Sequence, residues 1–95
     1  MTYEQYKWFM LGHVGRGLRV PREQLPCVDR IARRYNQMLS MEGFPVVSDQ
    51  GYYIVDLQSQ EDRERLQVYI AKERHRAKEI LKNINQCEKK LEATE

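Results

Sequence analysis

Three polar side chains between positions 30 and 37 have the chemistry and the spacing needed to recognise base pairs. Arg30, Arg33 and Gln37 are separated by three and four residues, so a helix that turns about 100° per residue places them on one face. Arginine can donate a pair of hydrogen bonds to guanine, and glutamine can form a similar pair with adenine. This pattern predicts a helix face that contacts bases in the major groove of duplex DNA.

Other polar residues nearby could contact the DNA backbone. Arg34 lies at the edge of the same face, where a phosphate contact is more natural, and Ser40 could add another. Basic residues that precede the helix could extend this surface if the fold brings them to the same side; they are Arg16, Arg19 and Arg22. Gln50, at the tip of a hairpin described below, completes the candidate interface. The alternative is an ordinary solvated helix face, on which Asp29 and Glu42 reduce the positive charge.

No residues form a pattern typical of a catalytic or metal-binding site. Cys27, near a helix start, could have a lowered pKa and some nucleophilicity, but neither His13 nor His75 is connected to it by a recognisable spacing. Cys27 and Cys87 also lie too far apart for a metal or redox motif. The glycine-rich segment 12–17 lacks the Lys-Ser/Thr pair of a phosphate-binding loop. We therefore expect a protein that is not an enzyme and has no cofactor or metal.

A helix and a hairpin are predicted to position the candidate interface. Within residues 27–41 apolar side chains recur at helical spacing and predict one buried face; they are Val28, Ile31, Tyr35 and Leu39. Gly43 is expected to end this helix. Two short strands, 45–48 and 52–55, are joined by an Asp-Gln-Gly turn that is typical of a hairpin. A helix followed by an exposed hairpin predicts an α+β, mostly helical fold: a winged helix-turn-helix with a hairpin wing.

The segments before this helix supply the remaining predicted elements. Thr2 and Gln5 fit a capping box, and the aromatic-rich helix that follows should be buried on more than one side or present its aromatics to a partner. A short strand is expected at 18–20. A second helix is confined to 21–25 because Pro26 is poorly compatible with its continuation, so it is shorter than in a typical helix-turn-helix.

The last third of the chain predicts one long helix. Residues 59–92 contain no glycine or proline, Ser59 can cap the helix, and its length of about 50 Å should carry it beyond the body of the protein. From Leu66 onward its apolar residues follow an a/d heptad series with one charged position, Glu73. The residues assigned to a homodimer seam are Ile70, Ala77, Ile80, Ile84, Cys87 and Leu91. The alternative is that the helix packs back on the first helix of its own chain.

Length and charge limit the other possibilities. A chain of 95 residues is long enough for one modest hydrophobic core. We divide the chain into a winged-helix domain at 1–57 and a C-terminal helix at 58–95. The net charge of +2 permits a nucleic-acid partner without requiring one. No apolar run approaches a membrane span, and no secretion signal is recognisable. We expect a cytoplasmic protein with reduced thiols and no membrane partner.

A sequence motif adds a family resemblance. The pattern Glu-Gly-x-Pro-(Ile/Val)-x-Ser, a short turn and Gly-Tyr-Tyr is present as Glu42-Gly43-Phe44-Pro45-Val46-Val47-Ser48 and Gly51-Tyr52-Tyr53. It resembles the wing of small winged-helix proteins of phages and prophages of Gram-positive bacteria, and the similarity extends over about residues 20–85. The resemblance implies duplex-DNA binding and a role in transcription regulation, although a replication accessory would have the same sequence features. The alternative is a protein-binding winged-helix module that engages or inhibits a host or defence protein.

Overall fold

The computed structural model describes residues 1–94. The α-helices are α1 (Tyr3–Leu11), α2 (Asp29–Met41) and α3 (Gln60–Thr94), and the strands are β1 (Val46–Ser48) and β2 (Tyr52–Ile54). Two single 3₁₀ turns, Arg16–Leu18 and Arg22–Gln24, lie between α1 and α2. This order of elements confirms a mostly helical α+β fold with one antiparallel hairpin.

The hairpin is built around a turn that few residues could adopt. β1 and β2 pair with Val47 opposite Tyr53. Gln50 and Gly51 both have positive φ, +57° and +131°, and the value at Gly51 lies in a region that favours glycine. The Asp-Gln-Gly sequence therefore makes the predicted turn, with each strand slightly shorter than expected.

Residues 13–20 cover the second edge of β2. Val20 and Tyr52 exchange two backbone hydrogen bonds of 2.8 and 2.9 Å, and Ile54 bonds to His13 and Gly15 on the same edge. The strand expected at 18–20 is wrong except for Val20, because Leu18 belongs to a 3₁₀ turn. Only the outer edge of β1 remains unpaired by backbone within residues 1–94.

The hairpin separates two hydrophobic clusters. On one face α1 and α2 pack against it; the buried residues there include Tyr6, Met10, Ala32, Leu39, Val46, Tyr52 and Ile54. On the other face Leu66 and Tyr69 of α3 cover a smaller cluster of Val47, Tyr53 and Val55. Because successive residues of a strand point to opposite faces, the alternation along β1 and β2 produces a three-layer arrangement.

The first helix begins as predicted but is buried on one side. Thr2 and Gln5 form the predicted capping box. Tyr6 is fully buried and its hydroxyl donates to Oδ1 of Asn36 at 2.7 Å. Trp8 is exposed, so the expectation of burial on more than one side is wrong.

The buried face of α2 is displaced from the predicted one. Its buried residues are Ala32, Asn36 and Leu39, which follow one another at helical spacing. Val28 is 65% exposed and does not belong to this face. The reason is that α2 begins at Asp29 and Val28 is its extended N-cap residue. The end of α2 is as predicted, since Gly43 follows it with φ +97°.

The long helix α3 is confirmed, and most of it projects from the body. Ser59 Oγ accepts a hydrogen bond from the Asp62 backbone N–H at 3.3 Å, as expected of a cap. The buried Asp62 carboxylate in turn accepts from the Asp56 N–H at 2.9 Å and fixes the loop before the helix. From Ile70 to the end of α3 every residue is exposed, so this part does not pack back on α1. Among residues 1–94 no helix has the length and apolar character needed to cross a membrane.

Candidate nucleic-acid interface

The outer face of α2 carries three of the predicted DNA contacts. Arg30, Arg34 and Gln37 are all exposed, and within residues 1–94 no hydrogen bond or ion pair engages their side chains. They occupy the side of α2 opposite Leu39, which lies in the core. This face is therefore free to donate hydrogen bonds to a ligand.

Arg33 departs from this arrangement. Its Nη2 atom lies 2.6 Å from Oδ2 of Asp29, one helical turn earlier. Asp29 also accepts a hydrogen bond of 2.9 Å from the Tyr52 hydroxyl, and Nε of Arg22 lies 3.9 Å from it. The Tyr52 hydrogen bond and the nearby Arg33 hold the pKa of Asp29 below its ordinary value. Arg22 and Arg33 thus converge on one carboxylate.

The other predicted contacts are distributed over the surface. Ser40 Oγ accepts a hydrogen bond from the Val46 N–H at 3.2 Å and so connects α2 to β1. Gln50 lies at the tip of the hairpin and shares a shallow depression with Arg22. Arg19 donates to the Arg16 carbonyl at 3.3 Å, and Arg16 is paired with a different carboxylate from the one that holds Arg22. The basic residues before α2 therefore do not form one surface.

A second carboxylate, Asp49, lies in the hairpin turn next to Gln50. Asp49 Oδ2 lies 2.7 Å from Nε of Arg16 and 3.1 Å from Nη1 of Arg65. The turn is thereby tied to the 3₁₀ segment and to α3. Arg16 lowers the pKa of Asp49.

A groove of about 790 Å³ runs between α2 and α3 with β1 at its base. Arg33 and Gln37 line one wall, and Tyr69, Glu73 and Arg76 line the other. Sequence reasoning missed this α3 wall. The available signal was that positions 69, 73 and 76 follow one another at helical spacing and so share one side of α3.

The cysteines and carboxylates give no indication of a catalytic site. Burial raises the pKa of the Cys27 thiol, which is opposite to the lowered pKa expected at a helix start and to what a nucleophile needs. Within the part of the chain that the structure describes, no three His, Cys, Asp or Glu side chains come together to hold a metal ion.

Comparison of the chain with protein-family models, with curated proteins and with solved structures gives no match. The resemblance to phage winged-helix proteins therefore stays a prediction, and the function is argued from the geometry of α2, the hairpin and α3.

Three carboxylates predict how stability depends on pH. Hydrogen bonds from Tyr52, Tyr3 and Arg16 lower the pKa values of Asp29, Glu42 and Asp49, respectively, below their ordinary values. A carboxylate with a lowered pKa in the folded state stabilises the fold while it is ionised, and this stabilisation is lost as the pH falls through that pKa.

We expect the melting temperature to be insensitive to these groups from pH 7 to about pH 5 and to fall below about pH 4. Thermal melts followed by circular dichroism across this range test the prediction. Asp49→Asn should melt at a lower temperature at pH 7 and show a shallower decline in acid. A melting temperature that stays constant down to pH 2 would contradict it.

Proposed function

We propose that this protein is a winged-helix protein that binds duplex DNA, with α2 in the major groove and the hairpin beside it. The observation that carries the proposal is the free outer face of α2, where Arg30, Arg34 and Gln37 have no partner within residues 1–94. Exposed arginine and glutamine side chains on one helix face match the hydrogen-bonding groups on base edges and phosphates.

The order of elements supports a winged helix. α2 leads directly into the hairpin, and Val20 pairs with the far edge of β2, so the hairpin belongs to a small sheet, and α2 packs against one face of it. The 3₁₀ turn Arg22–Gln24 stands where the first helix of a helix-turn-helix would be. Such a short supporting element leaves the N-terminal end of α2 exposed, where Arg30 lies.

The charge pattern favours contacts at the outer part of α2. Within residues 1–94 the side chains of Arg30 and Arg34 have no partner, whereas Arg33 is paired with Asp29. We therefore assign the main base and phosphate contacts to Arg30, Arg34 and Gln37. Arg33 and Arg22 act at the edge of the interface, where a phosphate group would have to compete with Asp29.

The projecting part of α3 is proposed to form a homodimer. Ile80, Ile84, Cys87 and Leu91 line one apolar strip, as expected of a heptad seam. A second copy of the chain can bury this strip, and two linked DNA-binding faces raise the effective affinity for DNA. A two-fold dimer predicts a palindromic target whose halves are about one turn of DNA apart. Local control of transcription, with phage genes as the targets, is the proposed role.

The test is DNA binding by a double variant of the α2 face. Fluorescence anisotropy with a mixed-sequence duplex of about 30 base pairs, nearly three DNA turns, should show binding that weakens steeply with salt. Arg30→Ala/Arg34→Ala should weaken binding at least about tenfold, since each such contact contributes about 1–3 kcal/mol.

A matched control removes the same charge elsewhere. Arg63 and Arg74 are exposed residues of α3, so Arg63→Ala/Arg74→Ala lowers the net charge equally without changing the α2 face. Equal losses in the two double variants would show a general charge effect and refute the assignment to α2. No affinity of folded wild-type protein at low salt would refute DNA binding and favour the protein-binding alternative.

A further inference from the structure

The outer edge of β1 has backbone groups that point away from the hairpin. In an antiparallel pair, hydrogen-bonded and non-hydrogen-bonded positions alternate. Val55 donates to the Pro45 carbonyl and Asp49 donates to the Gly51 carbonyl, so Val46 and Ser48 occupy the non-hydrogen-bonded positions and their N–H and C=O groups face outward. The Val46 N–H is taken by Ser40.

The Ser48 N–H and the carbonyls of Val46 and Ser48 have no hydrogen-bond partner in the described part of the chain. Such an edge can pair with an extended segment. The opposite edge of the hairpin offers no such opportunity, because residues 13–20 already cover it.

This edge lies at the base of the groove between α2 and α3. Val46 and Val47 are only 6% and 3% exposed, so this part of the strand is recessed between two helical walls, whereas Ser48 at its end is exposed. Asn36 lines the same groove. It is 8% exposed, its Oδ1 accepts from the Tyr6 hydroxyl, and its Nδ2 has no hydrogen-bond partner within residues 1–94. A buried donor without a partner costs stability, and because this Nδ2 atom has almost no exposed surface, an inserted chain reaches it only if the Asn36 side chain turns toward the groove.

The charged residues that line the groove indicate what kind of segment it binds. Arg22, Arg33 and Arg76 line the groove together with a single carboxylate, Glu73, and Asp29 offsets part of the charge of Arg22 and Arg33. The remaining positive charge matches a segment that carries aspartate or glutamate. A second copy of the chain fits poorly, because its own β1 is recessed between α2 and α3 and two such edges cannot approach to the strand spacing of about 4.8 Å.

We propose that an extended, acidic segment of a partner protein binds in this groove and adds to β1 as a neighbouring strand. Backbone hydrogen bonds to Val46 and Ser48 supply the pairing, and the arginines of the two walls select acidic side chains. This interaction goes beyond DNA binding. It shares Gln37, Arg33 and Arg22 with the proposed DNA interface, whereas Arg30 and Arg34 do not line the groove.

A fluorescein-labelled peptide of sequence Val-Glu-Glu-Val-Val-Glu-Glu-Val is the probe, because both faces of its extended chain carry carboxylates. We expect saturable binding by fluorescence anisotropy and slower hydrogen exchange of the Ser48 amide when the peptide is bound. N-methylation of alternate peptide nitrogens, which prevents pairing along one edge, should weaken binding at least about tenfold, as should replacement of every glutamate by lysine.

Two variants of the same helix provide the matched comparison. Arg76→Ala should weaken peptide binding severalfold, whereas Arg74→Ala, which lies outside the groove, should not. The proposal is overturned if the peptide does not bind, if the N-methylated or lysine peptide binds equally well, or if the Ser48 amide remains unprotected. Protection of Ser48 that appears without peptide as the protein concentration rises would also overturn it and assign the edge to a second copy. These outcomes leave the DNA test with Arg30→Ala/Arg34→Ala unaffected.

Discussion

Replacing Gly51 by alanine should lower the free energy of unfolding by about 3 kcal/mol or more. Gly51 has φ +131°, which side chains rarely allow. An added Cβ would also lie against the Val20 carbonyl oxygen and 2.8 Å from the Val20 carbonyl carbon. Val20 is held there by two hydrogen bonds to Tyr52, so relief of the clash requires the hairpin to separate from the chain that covers its edge.

Two other glycines allow backbone strain and steric clash to be separated as causes of the loss of stability. Gly43 has φ +97° but open space around its Cα, and Gly17 has open space and no positive φ. Gly43→Ala should therefore cost about 1 kcal/mol from backbone strain, and Gly17→Ala should be nearly neutral. Urea denaturation followed by circular dichroism measures all three variants. If Gly51→Ala and Gly43→Ala are equally stable, the contact with Val20 is not a significant constraint.

The same glycine shows how far sequence reasoning extends. The Asp-Gln-Gly turn was predictable because positive φ at a hairpin tip is a local requirement. The close approach of Val20 to Gly51 was not predictable, because it depends on a bridge between segments 30 residues apart. For the same reason the ion pair between Arg16 and Asp49, which removes Arg16 from the predicted basic surface, could not be derived from local spacing.

The candidate site was predictable in part. Helical spacing correctly placed Arg30, Arg34 and Gln37 on the exposed side of α2. The capture of Arg33 by Asp29 had a visible signal, since residues four apart on a helix are neighbours. The hydrogen bond from the Tyr52 hydroxyl to Asp29 could not be predicted, because Tyr52 belongs to the hairpin and lies far from Asp29 in the sequence.

The long helix α3 was also predictable only in part. Its length and cap follow from local sequence, and both are confirmed. Leu66 was assigned to the heptad series, but it packs with Tyr69 on the hairpin. The spacing of the apolar residues therefore predicted the helix and which of its residues share one side. It could not predict what each apolar residue packs against, because that depends on the residue at which α3 leaves the body of the protein.

The largest expected effect on assembly comes from Ile84. Ile84 is 46% exposed in the single chain and lies within the apolar strip of α3. Ile84→Asp would place a charge from each copy in the seam, and burial of an unpaired charge is costly. We expect the proposed dimer to dissociate, with a dissociation constant raised at least about a hundredfold, as measured by sedimentation equilibrium.

Val68→Asp is the matched control, because Val68 is also exposed on α3 but falls outside the heptad series. This variant should remain a dimer, and a monomeric Val68→Asp would show that added charge alone disrupts assembly. Wild-type protein that stays monomeric at about millimolar concentration, the limit of weak association, would refute the seam itself.

Cys87 provides an independent measure of the orientation of the two helices. In a parallel dimer in register, equivalent seam positions face each other, so the two Cys87 thiols meet and a mild thiol oxidant such as diamide should join the chains through a disulfide. Cys27 is half-buried beside the core, so Cys27→Ser should cross-link normally and Cys87→Ser should not. Ile84→Asp can also separate dimerisation through α3 from DNA binding through α2. If this variant no longer cross-links but still binds DNA weakly, each α2 face contacts DNA without the affinity gained from a linked second copy.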